Sequence, residues 1–96
     1  MINREENVVE WALLSYELED AREALVELLA ATNAPDFDES EFGIQLAHIY
    51  SHLNRAWNRR AHVGEQSDAD FQRFSDFPKD LHPLRGQLSP PDSEAQ

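Results

Sequence analysis

The chain lacks cysteine and is poor in glycine, and each shortage excludes a kind of chemistry. Without cysteine there are no disulfides, no thiol catalysis and no cysteine-ligated zinc. The three glycines do not cluster, which excludes a glycine-rich phosphate loop. No serine stands in a nucleophile-elbow pattern. The absence of cysteine fits a reducing compartment, so we expect a cytoplasmic protein.

Long apolar runs are missing as well. No stretch approaches the roughly 20 apolar residues of a transmembrane helix. The N-terminal residues lack the basic and apolar sections of a signal peptide. We therefore expect no membrane contact. The 96 residues allow one domain at most, and a domain of this size buries a modest core and often needs a partner.

Basic side chains are scarce: eight of them face nineteen acidic ones, which gives a net charge of −11. The excess is concentrated in residues 1–35 (−6) and 64–96 (−4), whereas residues 36–63 carry −1. A field of this sign repels the phosphates of nucleic acids. We expect no nucleic-acid binding, and a basic protein is the favoured kind of foreign partner.

Apolar periodicity predicts two long helices, over residues 4–32 and 39–63, and a short third helix over residues 68–75. The first begins where Asn3 and Glu6 have the spacing of a capping box. Ser67 is placed to cap the third helix. The fold class is therefore all-α.

The second helix carries the clearest boundary signals. Asp38 can cap its N-terminus with Glu41 three residues on, and Phe37 and Phe42 have the spacing of a hydrophobic staple. Gly64 supplies a left-handed stop. Two long helices of similar length joined by a short turn predict an antiparallel hairpin.

The apolar faces of both helices are wider than a hairpin needs. Two covers are open. Phe71 and Phe74 of the third segment, residues 67–84, can lie over the first helix, or a second copy of the chain can complete a four-helix bundle. We expect a homodimer. The residues expected in the core or the dimer interface are Val9, Trp11, Leu13, Tyr16, Tyr50 and Trp57.

One helical domain is predicted over residues 1–88, followed by a tail. Residues 89–96 contain two prolines and no large apolar side chain. A segment of this composition cannot bury enough apolar surface to fold, so we expect it to be disordered.

His48 and His52 are weak candidates for metal ligands. Four residues apart on a helix, both rings share one face, as in metal-binding pairs. Both fall on the polar flank of the second helix, so we interpret them as exposed surface residues. We accordingly expect no metal and no cofactor. Metal-binding bundles that use Glu-x-x-His motifs are disfavoured, because the chain contains no such motif.

Two charged groups are candidates for partner binding. Glu19, Glu23 and Glu27 recur every four residues and can form an acidic docking strip. A small anion site is conceivable in the second helix. It would be built from the residues His52, Arg55 and Arg59. The simpler interpretation of Arg55, Arg59 and Arg60 is that they pair with the residues Glu5, Glu6 and Glu10 across the hairpin.

No catalytic set assembles from these residues. We therefore expect a small, acidic, non-catalytic interaction or regulatory protein that self-associates. The first alternative is an acidic inhibitor, of the immunity or antitoxin type, that covers a basic partner. The second alternative is a metal-binding helical bundle.

Overall fold

A computed structural model describes residues 1–85, which form three helices and no strand. Helix α1 spans Val8–Ala31, α2 spans Glu39–Asn58 and α3 spans Asp68–Phe74. α1 packs against α2, and α3 packs on α2. The all-α class is confirmed. None of the three has the length and apolar content needed to cross a bilayer. The predicted tail over 89–96 and the last residues of the predicted domain lie outside the described residues.

Contacts between the two long helices show that they run in opposite directions. Near the start of α1, the carboxylate of Glu10 accepts a hydrogen bond from the backbone N–H of Gly64, which follows α2 (2.8 Å). The backbone N–H of Ile2 donates to the carbonyl of Arg60 (2.7 Å). These contacts join the beginning of the chain to the end of α2, as an antiparallel hairpin requires.

The predicted start of α2 is present in the structure. The backbone N–H of Glu41 donates to the Asp38 carboxylate (2.9 Å). The rings of Phe37 and Phe42 meet edge to face at 5.9 Å. The carboxylate of Glu41 accepts from the side chain of Gln45 (2.6 Å). The cap and the staple are thus both formed. The Glu41 carboxylate bonds to Gln45 on the helix surface and not to the cap residue.

α1 begins at Val8, four residues later than predicted. Asn3 and Glu6 do interact, because the Glu6 backbone N–H donates to the Asn3 side chain (2.8 Å). That contact closes a separate turn. The Asn7 side chain accepts from the Asn3 backbone (3.1 Å), which holds the turn against the start of the helix.

α2 ends at Asn58, five residues before the predicted end. Beyond it, the backbone N–H groups of Arg60 and His62 donate to carbonyls three residues earlier. Such tight turns end an α-helix. Gly64 has a positive φ (93°) as predicted, but it lies in the loop after α2 and does not cap the helix.

The hydrophobic core is thin. Ile2 and Leu14 pack with Ala56 across the hairpin, and Trp11 covers them. Along the hairpin, Ala21, Leu28 and Ile49 are also buried. Small and medium side chains thus form the core between the helices, and many large apolar side chains are exposed to solvent.

The third segment, one of the two open covers for α1, lies against α2 in the structure. The ring of Phe74 packs against His62 (5.3 Å between centroids), and Phe77 packs against Tyr50 of α2 (5.2 Å). The side chains that it was expected to cover remain exposed. They are Val9, Leu13 and Tyr16. α3 packs on α2 because polar side chains of α2 bind the backbone at the end of α3, as described below.

Candidate functional site

A buried polar cluster lies between the middle of α1 and the last turns of α2. The carboxylate of Glu17 accepts two hydrogen bonds, from Nδ1 of His52 (2.7 Å) and from Nε of Arg55 (2.7 Å). All three residues are buried, with His52 only 8% exposed. A buried charge needs a partner of opposite sign and satisfied hydrogen bonds, and Glu17 supplies both to Arg55.

Nδ1 of His52 lies 2.7 Å from the Glu17 carboxylate and 3.1 Å from a terminal nitrogen of Arg55. A carboxylate that pairs with Arg55 is an acceptor, and its contact with Nδ1 is the shorter of the two, which favours the His52 tautomer with the proton on Nδ1. The other ring nitrogen, Nε2, is then an acceptor, and it lies 3.2 Å from Nε2 of His48. His48 is exposed, and it donates across this distance in the tautomer that carries its proton on Nε2. The two histidine rings thus connect Glu17 to the protein surface through two successive polar contacts.

The same cluster extends to the segment after α3. Arg55 donates through its terminal nitrogen to the Ser75 hydroxyl (2.9 Å), and its guanidinium lies 4.5 Å from the centre of the Phe71 ring. The side chain of Asn54 donates to the Ser75 carbonyl (2.9 Å). Asn58 donates to two further carbonyls, of residues 74 and 76 (2.8 and 2.9 Å). Side chains of α2 therefore bind the C-terminal end of α3, where helix carbonyls lack partners.

Arg59 is the most deeply buried charged residue of the described chain, at 3% exposure. Its Nε and one terminal nitrogen have no hydrogen-bond partner within the protein. Burial lowers the pKa of the guanidinium, and the nearby charges of Glu17 and Glu10 oppose that shift.

A second contact set fixes the segment after α3 to the end of α2. The indole N–H of Trp57 donates to one carboxylate oxygen of Asp80 (2.9 Å), and Arg60 donates to the other (2.7 Å). Arg60 also stacks on the Trp57 ring at 3.9 Å. We call these three residues the Asp80 clasp. The hydrogen bonds from Trp57 and Arg60 hold the pKa of Asp80 below its usual value.

The clasp borders an open apolar groove of about 640 Å³. Tyr50, Leu53 and Trp57 form one wall, and Phe77 and Leu81 form the other. The groove is continuous with exposed side chains on α2.

An exposed apolar face covers one side of the hairpin. At about 100° per residue, Leu18, Leu25 and Leu29 of α1 fall within about 40° of one another. Phe42, Leu46 and Leu53 of α2 do the same. Apart from the half-buried Leu46, all of these side chains are exposed. The residues of the apolar face are Leu18, Leu25, Leu29, Phe42, Leu46 and Leu53.

Both stripes lie on the same side of the hairpin. Each is displaced by about 70 to 80° from the line of residues that faces the other helix, in the same rotational sense along the chain. In an antiparallel pair, equal rotation in that sense leads to one common side. On α2 the stripe lies about 160° from Arg55, which faces α3. The apolar face is thus on the side away from α3.

The predicted partner-binding residues divide into two groups. Glu19, Glu23 and Glu27 are exposed on α1, so an acidic strip is available at the surface. The second group is buried, and two of its members bind the Glu17 carboxylate. Its members are His52, Arg55 and Arg59.

Two other expectations about charged residues are corrected. The predicted surface location of His52 is wrong, because Glu17 draws it into the interior, whereas His48 is exposed as expected. Arg55 and Arg60 form ion pairs with Glu17 and Asp80 instead of the predicted acids near the start of the chain.

The expected core or interface residues lie at or near the surface. Trp11 and Trp57 are half-buried. The other four are exposed, with Val9 at 68%, and do not belong to the core of the single chain. They are Val9, Leu13, Tyr16 and Tyr50.

Sequence reasoning missed Glu17, Asn54, Asn58 and Asp80 as organising residues. Their partners lie 16 to 38 residues away in the sequence, so no local spacing identifies them. One available signal was the position of Asn54 and Asn58, since two asparagines inside an amphipathic helix have poor helix propensity and call for a tertiary partner.

Within residues 1–85, no group of three or more histidine and acidic side chains is arranged to hold a metal ion. Comparison of the chain with protein-family models, with curated proteins and with solved structures gave no match. The functional argument therefore rests on the geometry described above.

Proposed function

We propose that this protein is a non-catalytic, acidic helical interaction protein that self-associates through its apolar face. The observation that carries the proposal is the distribution of leucines. Leu25 is 48% and Leu29 is 64% exposed, on the same side of the hairpin as Phe42 and Leu53. A contiguous apolar patch of this kind on a small protein marks an interaction surface.

A second copy of the chain suits this face. The face is made from two antiparallel helices, so a two-fold axis through it stacks hairpin on hairpin. Four helices then enclose the leucines as a bundle core, which supplies the core that the single chain lacks. The groove beside Tyr50 and Leu53 adjoins the same surface and extends the contact.

The charge distribution permits this pairing despite the net charge of −11. The acidic strip of Glu19, Glu23 and Glu27 lies about 100° or more around α1 from the apolar face. Two copies joined by that face keep their acidic strips apart. Salt should therefore strengthen association, since it screens the remaining repulsion between two acidic chains.

The chemistry of the buried cluster supports a non-catalytic role. Glu17 and His52 have the relation of a carboxylate and its general base. Within the described residues, however, Nε2 of His52 faces His48, and the Ser75 hydroxyl lies against Arg55 instead. A nucleophile positioned beside the base is what acyl-transfer chemistry requires.

Light scattering after size exclusion tests the proposal directly. At roughly 50 µM, where a micromolar dimer is mostly associated, the native chain should have twice its 11.0 kDa mass. Leu25→Glu should give the monomer mass, because it buries an unpaired charge in the bundle. The matched control is Val9→Glu, an exposed position on the other side of α1, which should stay dimeric.

Two results would contradict self-association through this face. One is a native chain that remains monomeric under those conditions. The other is dissociation by Val9→Glu to the same degree as by Leu25→Glu, since that would place the contact elsewhere.

We also propose an alternative, an acidic inhibitor of a basic protein, which the exposed strip of Glu19, Glu23 and Glu27 favours. Association with such a partner would be steered by charge and slowed by salt. Recovery of one basic partner from host lysate at low salt, and its loss with the triple change of these glutamates to glutamine, would support the inhibitor role. Equal recovery with the triple variant would contradict it.

A further inference from the structure

We propose that His48 and His52 bind a divalent transition metal ion, such as zinc, at the surface end of the Glu17 cluster. The observation is the pair of Nε2 atoms, which lie 3.2 Å apart on successive turns of α2. Two nitrogens bound tetrahedrally at 2.0–2.1 Å from zinc are separated by roughly 3.3 Å. The spacing in the protein is therefore the spacing of two corners of a zinc tetrahedron.

The environment of His52 is that of a metal ligand. A ligating histidine commonly donates its second ring N–H to a carboxylate. That contact orients the ring and makes the other nitrogen a stronger metal ligand. Glu17 accepts the Nδ1 proton of His52 at 2.7 Å, and Arg55 in turn holds Glu17. His52 is buried and cannot rotate freely, so its Nε2 is fixed toward His48.

The site has access and a favourable field. His48 is exposed, and a groove beside it is lined by the carboxylates of Glu27 and Glu41. When the His48 proton moves from Nε2 to Nδ1 of the same ring, both Nε2 atoms can bind a cation, which would take its remaining ligands from solvent. Glu27 and Glu41 attract a dication to this surface, and Glu17 offsets the charge of Arg55, which lies 3.1 Å from Nδ1 of His52.

The site is independent of self-association. His48 lies about 140° around α2 from Leu53, so the apolar face can pair or stay free without altering it. Failure of the metal site would leave the proposed dimer untouched, and failure of the dimer would leave the metal site intact.

Titration calorimetry with zinc chloride on the full native chain tests the site. We expect one ion per chain. His48→Ala should weaken binding by more than about tenfold, because loss of a ligand exceeds the 10- to 100-fold effect of losing an orienting partner. His48 is exposed, so this variant should fold. The matched control is His82→Ala, an exposed histidine in the loop of the Asp80 clasp, which should bind as the native chain does.

Nitrogen chemical shifts of the histidine rings give a second readout on the native protein. Zinc should shift the Nε2 signals of His48 and His52 and leave those of His62 and His82 in place. The proposal is overturned if zinc shifts the other two histidines instead, if His48→Ala binds as tightly as the native chain, or if no binding is seen up to roughly millimolar zinc.

Discussion

The two sides of the hairpin invert the usual arrangement of a small helical protein. On the side of α3, buried charged and amide groups hold the structure together, centred on Glu17, His52 and Arg55. On the opposite side, leucines such as Leu25 and Leu29 face outward. The comparison teaches that directional hydrogen bonds fix the C-terminal segment of the described chain, while a row of apolar side chains stays exposed on the opposite side.

The largest effect should come from removing the centre of the polar side. Glu17→Ala leaves a guanidinium and an imidazole buried without their acceptor, and we expect a loss of about 3–5 kcal/mol in the free energy of unfolding. Urea denaturation measures it. Glu23→Ala, an exposed glutamate on the same helix, should change stability by no more than about 0.5 kcal/mol. A similar small loss for Glu17→Ala would mean that the cluster does not stabilise the fold.

A smaller loss should follow when the link between α2 and α3 is cut. Asn58→Ala removes two hydrogen bonds to carbonyls at the end of α3, so we expect a cost of about 1–3 kcal/mol. Asn33→Ala serves as control, because its side chain makes one long, exposed contact (3.5 Å). Equal stability of the two variants in urea would show that α3 docks through its apolar contacts alone.

Acid should weaken the Asp80 clasp. The folded-state pKa of Asp80 lies below its ordinary value of 3.8, so the stabilising contribution is present above that value and is lost as the pH falls through the lowered pKa. Asp80→Asn should therefore melt below the native protein at pH 7, and the gap should narrow at pH values under 3.8. Asp36→Asn, in the turn between α1 and α2, should show no such narrowing. A gap that is the same at every pH would contradict the ion pair.

The smallest effect on the single chain is expected on the apolar side. Leu29→Ala should change the unfolding free energy by no more than about 0.5 kcal/mol in dilute, monomeric solution, because Leu29 is exposed. Its neighbour Leu28 is buried, so Leu28→Ala should cost about 2–5 kcal/mol. At high concentration Leu29→Ala should weaken association. Equal losses of unfolding free energy for the two variants in dilute solution would contradict the exposed position of Leu29 in the single chain.

Local chemistry was readable from the sequence. The Asp38 cap acts over three residues, and Ser67 and Asp70 form a complete capping box at the start of α3. Such signals depend on neighbours in the chain, so spacing alone reveals them. The helical class and the pairing of the long helices follow from the same kind of periodicity.

The non-local chemistry was not readable. His52 occupies a polar flank on the helical wheel, yet Glu17, 35 residues earlier, makes that flank an interior. The end of α2 was placed at Gly64 because glycine is a common stop, whereas turns of the chain after Asn58 end the helix first. In the first case a tertiary contact overrides a local preference.

The Asp80 clasp also provides the protein with an optical reporter. The chain has two tryptophans: Trp11 covers the core of the hairpin, and Trp57 donates to Asp80 under the Arg60 guanidinium. With Trp11 replaced by phenylalanine, intrinsic fluorescence would come from Trp57 alone. Its emission would then follow the release of the segment after α3 separately from the unfolding of the hairpin, without any attached dye.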